Sequence, residues 1–168
     1  MRLSDLVVKK GIAIDTNLLL LYFVGYQDKG LIGRFTKRLS GYSFDDYDLL
    51  IKFTKQFKLN VTTPSILTEV SNFLDDEPEP YRNALAKMPT HLELIQETHW
   101  PTIELIKNDP ISFKKFGLTD ATLIELAKQD YVVLTQDSNL SSYIVGKGYA
   151  SVDFKSVVNQ LIQKKPAF

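Results

Sequence analysis

Four acidic residues stand out by where they fall in the chain. Asp15 ends the apolar run Gly11-Ile12-Ala13-Ile14, and Asp137 comes just after Val132-Val133-Leu134. Glu69 lies in the second turn after Thr63-Pro64, and Asp120 directly follows Thr119. Short, continuous apolar runs mark strands buried on both faces, and open parallel sheets bind ligands beyond the carboxyl ends of their strands. Helices that follow such strands begin at that same edge, so four carboxylates from four separated segments can converge on one cleft. Two carboxylates about 5 Å apart repel by roughly 3 kcal/mol at an effective dielectric near 20. Such a group needs protons or cations. With no cysteine and only two histidines in the chain, the matching ions are the oxygen-preferring Mg2+ and Mn2+. One or two of them suit phosphodiester hydrolysis. Each aspartate alone also reads as a helix cap; only the joint pattern points to chemistry.

The elements that would position these acids can be read from the pattern. The Gly11–Ile14 run predicts a first strand, and the leucine-rich stretch after Asp15-Thr16-Asn17 predicts a buried helix. Residues 31–39 and 45–57 read as two helices around a Ser40-Gly41 break, the second with Leu49, Phe53 and Phe57 as its apolar row. A short strand is expected over 59–62, followed by a helix that Thr63 caps and Pro64 opens, with Ile66, Val70 and Phe73 buried. Residues 75–80 read as a loop and 92–95 as a third strand. Short helices are expected over 101–107 and 112–116, and a clearer one opens at Gly117-Leu118-Thr119-Asp120 with Leu123, Ile124 and Ala127 inside. Residues 131–135 form the best strand; then come a helix to about 145, a short strand near 149–150 and a closing helix over 154–162. Strands alternating with helices predict an α/β fold, a single three-layer domain over residues 1–168 with a mostly parallel central sheet.

Composition narrows the class further. Hydrophobic residues are 44% of the 168 and charged residues 24%, which excludes a disordered or fibrous chain. Twenty basic residues balance twenty acidic ones, so no global field draws the protein to nucleic acid or membrane. The opening residues lack a signal-peptide stretch, and the apolar run over 18–24 is too short to cross a bilayer. The expectation is a cytoplasmic protein without membrane contact.

Ile14-Asp15-Thr16-Asn17, then Thr63-Pro64 with Glu69-Val70, then Leu118-Thr119-Asp120-Ala121, then Leu134-Thr135-Gln136-Asp137 resemble, in order, the four motifs of PIN-domain nucleases. The match covers nearly the whole chain. The resemblance implies a Mg2+- or Mn2+-dependent endoribonuclease with Asp15, Glu69, Asp120 and Asp137 as its acidic quartet. Asp15, Asp120 and Asp137 would serve as metal ligands, and Asn17 and Thr135 as polar supports. It implies hydrolysis that leaves a 5′-phosphate and a 3′-hydroxyl. The stretch over 26–58 is longer than in the smallest family members, which suggests a helical insertion after the first strand–helix unit. Similarity to VapC-like toxins adds a toxin–antitoxin role, an antitoxin partner and a homodimer to the expected RNA substrate.

Arg34, Lys37 and Arg38 in that insertion, with Lys114 and Lys115 before Asp120, are candidate phosphate contacts at the rim of the cleft. Tyr42, Phe44 and Tyr47 read as packing residues that could also stack bases. His91 and His99 read as surface or loop residues. One competing function is a PIN-like scaffold that binds RNA or protein without cutting; a phosphorelay receiver is a weaker version, since no lysine follows the last strand in a suitable turn. Another is a haloacid-dehalogenase-type phosphatase, which wants a second acid two residues after the first strand's aspartate, where this chain has Asn17.

Overall fold

The computed structural model describes residues 3–34 and 38–158. The first half of the chain forms α1 (Leu3–Val7), β1 (Ile12–Ile14), α2 (Thr16–Gln27), a 3₁₀ segment (Lys29–Arg34), α3 (Phe44–Thr54), β2 (Asn60–Thr62) and α4 (Pro64–Asp75). The second half forms α5 (Glu79–Leu92), β3 (Ile95–Glu97), α6 (Thr102–Asn108), α7 (Pro110–Lys128), β4 (Val132–Thr135), α8 (Ser138–Gly146) and β5 (Ser151–Asp153). Residues 154–158 continue as helix. The five strands form one sheet in the order β3-β2-β1-β4-β5, and every neighbouring pair is parallel.

That order places the site. The chain leaves β1 toward β2 and β3 on one side, then returns through α6 and α7 to β4 on the other side of β1 and moves out to β5. With right-handed crossovers, helices made in the two directions cover opposite faces of the sheet. The packing agrees: α2 lies against α3, α4 and α5, while α7 lies against α6 and α8. The direction reverses between β1 and β4, and the crevice of such a sheet opens at that point, outside the carboxyl ends.

Burial explains which strands form the centre. All of β1 and β4 is buried, as a strand covered on both faces must be. The edge strands β3 and β5 are half-buried to exposed and carry polar residues. The core is one cluster gathered around the leucines of α2, with Ile66, Val70, Leu123, Ile144 and Phe154 closing it. Gly25 lets α2 approach α3 closely: a Cβ there would stand 2.3 Å from the Tyr47 ring.

The α/β fold with a parallel sheet stands as expected, and several local readings change. Residues 29–34 wind as 3₁₀ helix, not the start of an α-helix, in a stretch that Gly30 and Gly33 disfavour for α-helix. Residues 35–37 and the end of the expected closing helix, 159–162, lie outside the described residues. In α3 the buried row is Tyr47, Leu50 and Thr54; Leu49 and Phe53 are only partly buried. In α4 the row ends at Leu74, and Phe73 turns toward the cleft described below. Helix α5, which no clear apolar period announces, buries Tyr81, Ala84, Met88 and His91. It pushes the third strand to Ile95–Glu97, and the last strand falls at Ser151–Asp153.

Candidate acidic active site

β1 and β4 end side by side, with Ile14 paired to Leu134, and each is followed by its acid. Asp15 is 7% exposed. Its main-chain N–H donates to Leu134 O at 2.9 Å, and its carboxylate Oδ2 accepts from Thr135 Oγ1 at 2.6 Å. Thr135 in turn accepts from the Asp137 N–H at 2.9 Å. One buried hydroxyl thus ties the two strand ends together. Asp137 is exposed and caps α8, its Oδ1 accepting from the N–H groups of Asn139 at 2.8 Å and Leu140 at 3.1 Å. The cap interpretation holds for that oxygen, while Oδ2 has no hydrogen-bond partner among the described residues.

Glu69 and Asp120 arrive from helices. Thr63 caps α4 and Pro64 opens it, which sets Glu69 in the second turn. Glu69 Oε2 accepts from Thr16 Oγ1 at 2.8 Å and Oε1 from Thr119 Oγ1 at 2.6 Å, so it joins α2, α4 and α7. Asp120 depends on a break in α7. Gly117 has φ 86° and ψ −175°, a region open to glycine and costly to any side chain. The helix restarts beyond it, so Asp120 falls in a fresh first turn, where free N–H groups favour negative charge. A hydroxyl pair, Thr63 and Thr122 at 3.1 Å, locks the starts of α4 and restarted α7 together.

All four acids line one cleft of about 770 Å3, with Thr16, Asn17, Thr119 and Gln136 between them. Burial first, then the charges of Asp15, Asp137 and Glu69, push the Asp120 carboxyl from an ordinary 3.8 up to about 7. The Asp15 carboxyl also rises. Burial is the main cause, opposed by hydrogen bonds from Thr135 and the Thr16 amide and reinforced by Glu69 and Asp137. Among the described residues none of the four acids has an ion-pair partner.

No protein-family model, curated protein or solved structure matches the chain. What the cleft can do rests on its own chemistry. Its donors are all oxygen, the set that suits Mg2+ or Mn2+. Asn17 Oδ1 is buried without a hydrogen-bond partner, an acceptor waiting for a donor such as an ordered water. As placed, no three of the described His, Asp and Glu side chains form a ready-made ligand set. The hydrogen bonds give a reason: Glu69 turns both oxygens to threonines, and Asp137 turns one to the α8 amides.

The expected basic residues divide. Arg38 lines the cleft, its guanidinium 4.1 Å from the centre of the Phe73 ring. Arg34 and Lys114 are exposed and absent from the cleft lining, and Lys115 lies over the rings of Phe116 and Tyr143 at 4.7 and 5.5 Å. Lys37 is outside the described residues. Lys155, which no sequence motif marks, lines the cleft from the far end of the chain. Thr16 and Thr119 have a role that their motifs do not announce: they fix Glu69. Each adjoins an acid in sequence, which was the available signal. His91 is buried, not a surface residue: Tyr22 Oη stands 2.9 Å from its Nδ1, and the Tyr26 ring packs 4.0 Å from its own.

Proposed function

We propose that this chain is a Mg2+- or Mn2+-dependent endoribonuclease of the PIN type, hydrolysing phosphodiester bonds of RNA. The observation that supports this reading is the convergence of Asp15, Glu69, Asp120 and Asp137, from four segments, on one cleft at the reversal point of the sheet. Asp15, Asp120 and Asp137 would hold the ion. When bound, it supplies Lewis-acid stabilisation of phosphate charge and lowers the pKa of water. The chain's own residues prepare that chemistry. Thr135 fixes the Asp15 carboxylate, and Thr16 and Thr119 hold Glu69 against the cleft wall. Asn17 Oδ1 is a buried acceptor at the cleft with no hydrogen-bond partner among the described residues. Burial and the neighbouring acids raise the Asp120 carboxyl to about 7, so holding a cation there would favour its deprotonated form.

The test is a cleavage assay on a pool of structured RNAs with Mg2+, Mn2+ or chelator. Metal-dependent cleavage by the wild type that Asp120→Asn abolishes supports the reading; undiminished cleavage by the variant, or none by the wild type, overturns it. A toxin role in the cytoplasm, with an antitoxin covering the cleft and a homodimer as the assembly, is the biological setting this reading suggests. No described helix is long and apolar enough to cross a membrane. Growth arrest on expression that Asp15→Ala relieves would support the toxin role, and harmless expression of an active enzyme would refute it. A non-catalytic RNA- or protein-binding scaffold is the second reading, favoured by the structural hydrogen bonds that already occupy Glu69 and one oxygen of Asp137. Absence of both Mn2+ binding and cleavage would select it.

A further inference from the structure

A second cavity, of about 360 Å3, adjoins the acidic cleft, and the two share Arg38, Gln136 and Lys155 in their walls. It carries one acid where its neighbour carries four. Tyr42, Phe154 and Val158 give it an aromatic and aliphatic lining, and its size is at the lower end for small-ligand pockets. Asp46 is its one acid, and both the main-chain N–H and the hydroxyl of Ser43 hold Asp46 Oδ2 at 2.7 Å. On the dividing wall, the Tyr42 hydroxyl donates to Gln136 Oε1, which fixes the amide and leaves its N–H₂ group for a ligand.

The two cations carry the inference. Arg38 and Lys155 are exposed, and neither forms an ion pair with a described residue. The Phe73 ring holds one face of the Arg38 guanidinium, while its N–H edge stays available to an anion. An acidic cleft repels a polyanion, so a phosphate chain passing through it needs an anchor on either side of the acids. A cationic wall next to a pocket with an aromatic side chain fits one repeat of a single strand: a phosphate on the wall and a base against the ring.

We propose that this second cavity is a subsite for a nucleotide flanking the cleavage point, with Arg38 and Lys155 holding the phosphate between the two cavities. The assignment rests on reading the acidic cleft as the nuclease centre. Binding and cutting are nevertheless separable. In EDTA, a fluorescein-labelled short oligoribonucleotide is titrated with the full chain and read by anisotropy over a range of salt concentrations. The wild type should bind the single strand more tightly than a blunt duplex of the same sequence. Arg38→Ala and Lys155→Ala should each weaken binding roughly fivefold and lower the salt slope by about 0.7 per cation lost. Arg38→Lys should restore the salt slope, since it keeps the charge, but only part of the affinity, since it loses the stacked guanidinium fork. Tyr42→Leu should weaken binding to the oligonucleotide while leaving the salt slope unchanged. Wild-type affinity and slope in the Arg38→Ala, Lys155→Ala double variant would overturn the proposal. So would equal binding of duplex and single strand, or no binding by the wild type. If binding behaves as expected but no metal restores cleavage, the subsite stands and the nuclease reading falls.

Discussion

The two ends of α2 bury titratable groups in opposite ways. At its start, Asp15 faces three other acids in an open cleft; further along, Tyr22 and Tyr26 enclose His91 of α5. Burial drives both groups toward their neutral forms, raising Asp15 and lowering His91. The difference lies in what surrounds them. A neutral imidazole among aromatic rings, with a phenol on Nδ1, carries no charge to relieve, although its buried Nε2 has no hydrogen-bond partner among the described residues. Four carboxylates sharing one cleft do carry such charge, and protonation or a cation must relieve them. Burial alone therefore does not mark a site; convergence of like charge does.

Substitutions at the two ends should separate function from stability. Asp15→Asn should lower metal-dependent cleavage by at least about a hundredfold, the scale of losing a main electrostatic contributor, with an unchanged far-ultraviolet circular dichroism spectrum. His91→Ala should leave specific cleavage activity intact at low temperature but cost about 1–3 kcal/mol of stability through the cavity it opens, read by urea denaturation. Cleavage lost in His91→Ala, or kept in Asp15→Asn, would erase the contrast.

The pH dependence should also split. Asp120 binds its proton more tightly folded than unfolded, so ion-free stability should fall as pH rises from about 4 to about 7. His91 has the opposite sign: its folded pKa lies below 6.5, so its contribution is present above that value and is lost as pH falls through it. In chelator, Asp120→Asn should flatten the first slope, leaving the part that the raised Asp15 carboxyl contributes with the same sign, and raise stability at pH 8 by about 1 kcal/mol after solvent screening. Thr135→Val should have the smallest effect. Without its hydroxyl, Asp15 loses one hydrogen bond that favours its charged form, and Mn2+ affinity should fall roughly fivefold, measured by calorimetry.

What the sequence revealed follows the same physics. Strands buried on both faces are mostly apolar, so β1 and β4 are legible, and with them the acids that follow them. Edge strands escape that demand. Ile95-Gln96-Glu97 and Ser151-Val152-Asp153 carry no apolar run, and both were misplaced by a few residues. Helix α5 hid because its buried row contains a tyrosine and a histidine, and because Pro89 stands in its last turns. Lys155 could not be matched to the cleft from spacing, since only the pairing of β5 beside β4 brings it there.

Manganese binding to the wild type and to Asp120→Asn, followed by calorimetry near pH 7 in two buffers of different ionisation enthalpy, tests the central claim most directly. Saturable binding accompanied by proton release, with affinity falling at least tenfold and the proton release reduced in the variant, is the result expected if the clustered carboxylates await a cation. No saturable binding, or equal binding by both proteins, would contradict it.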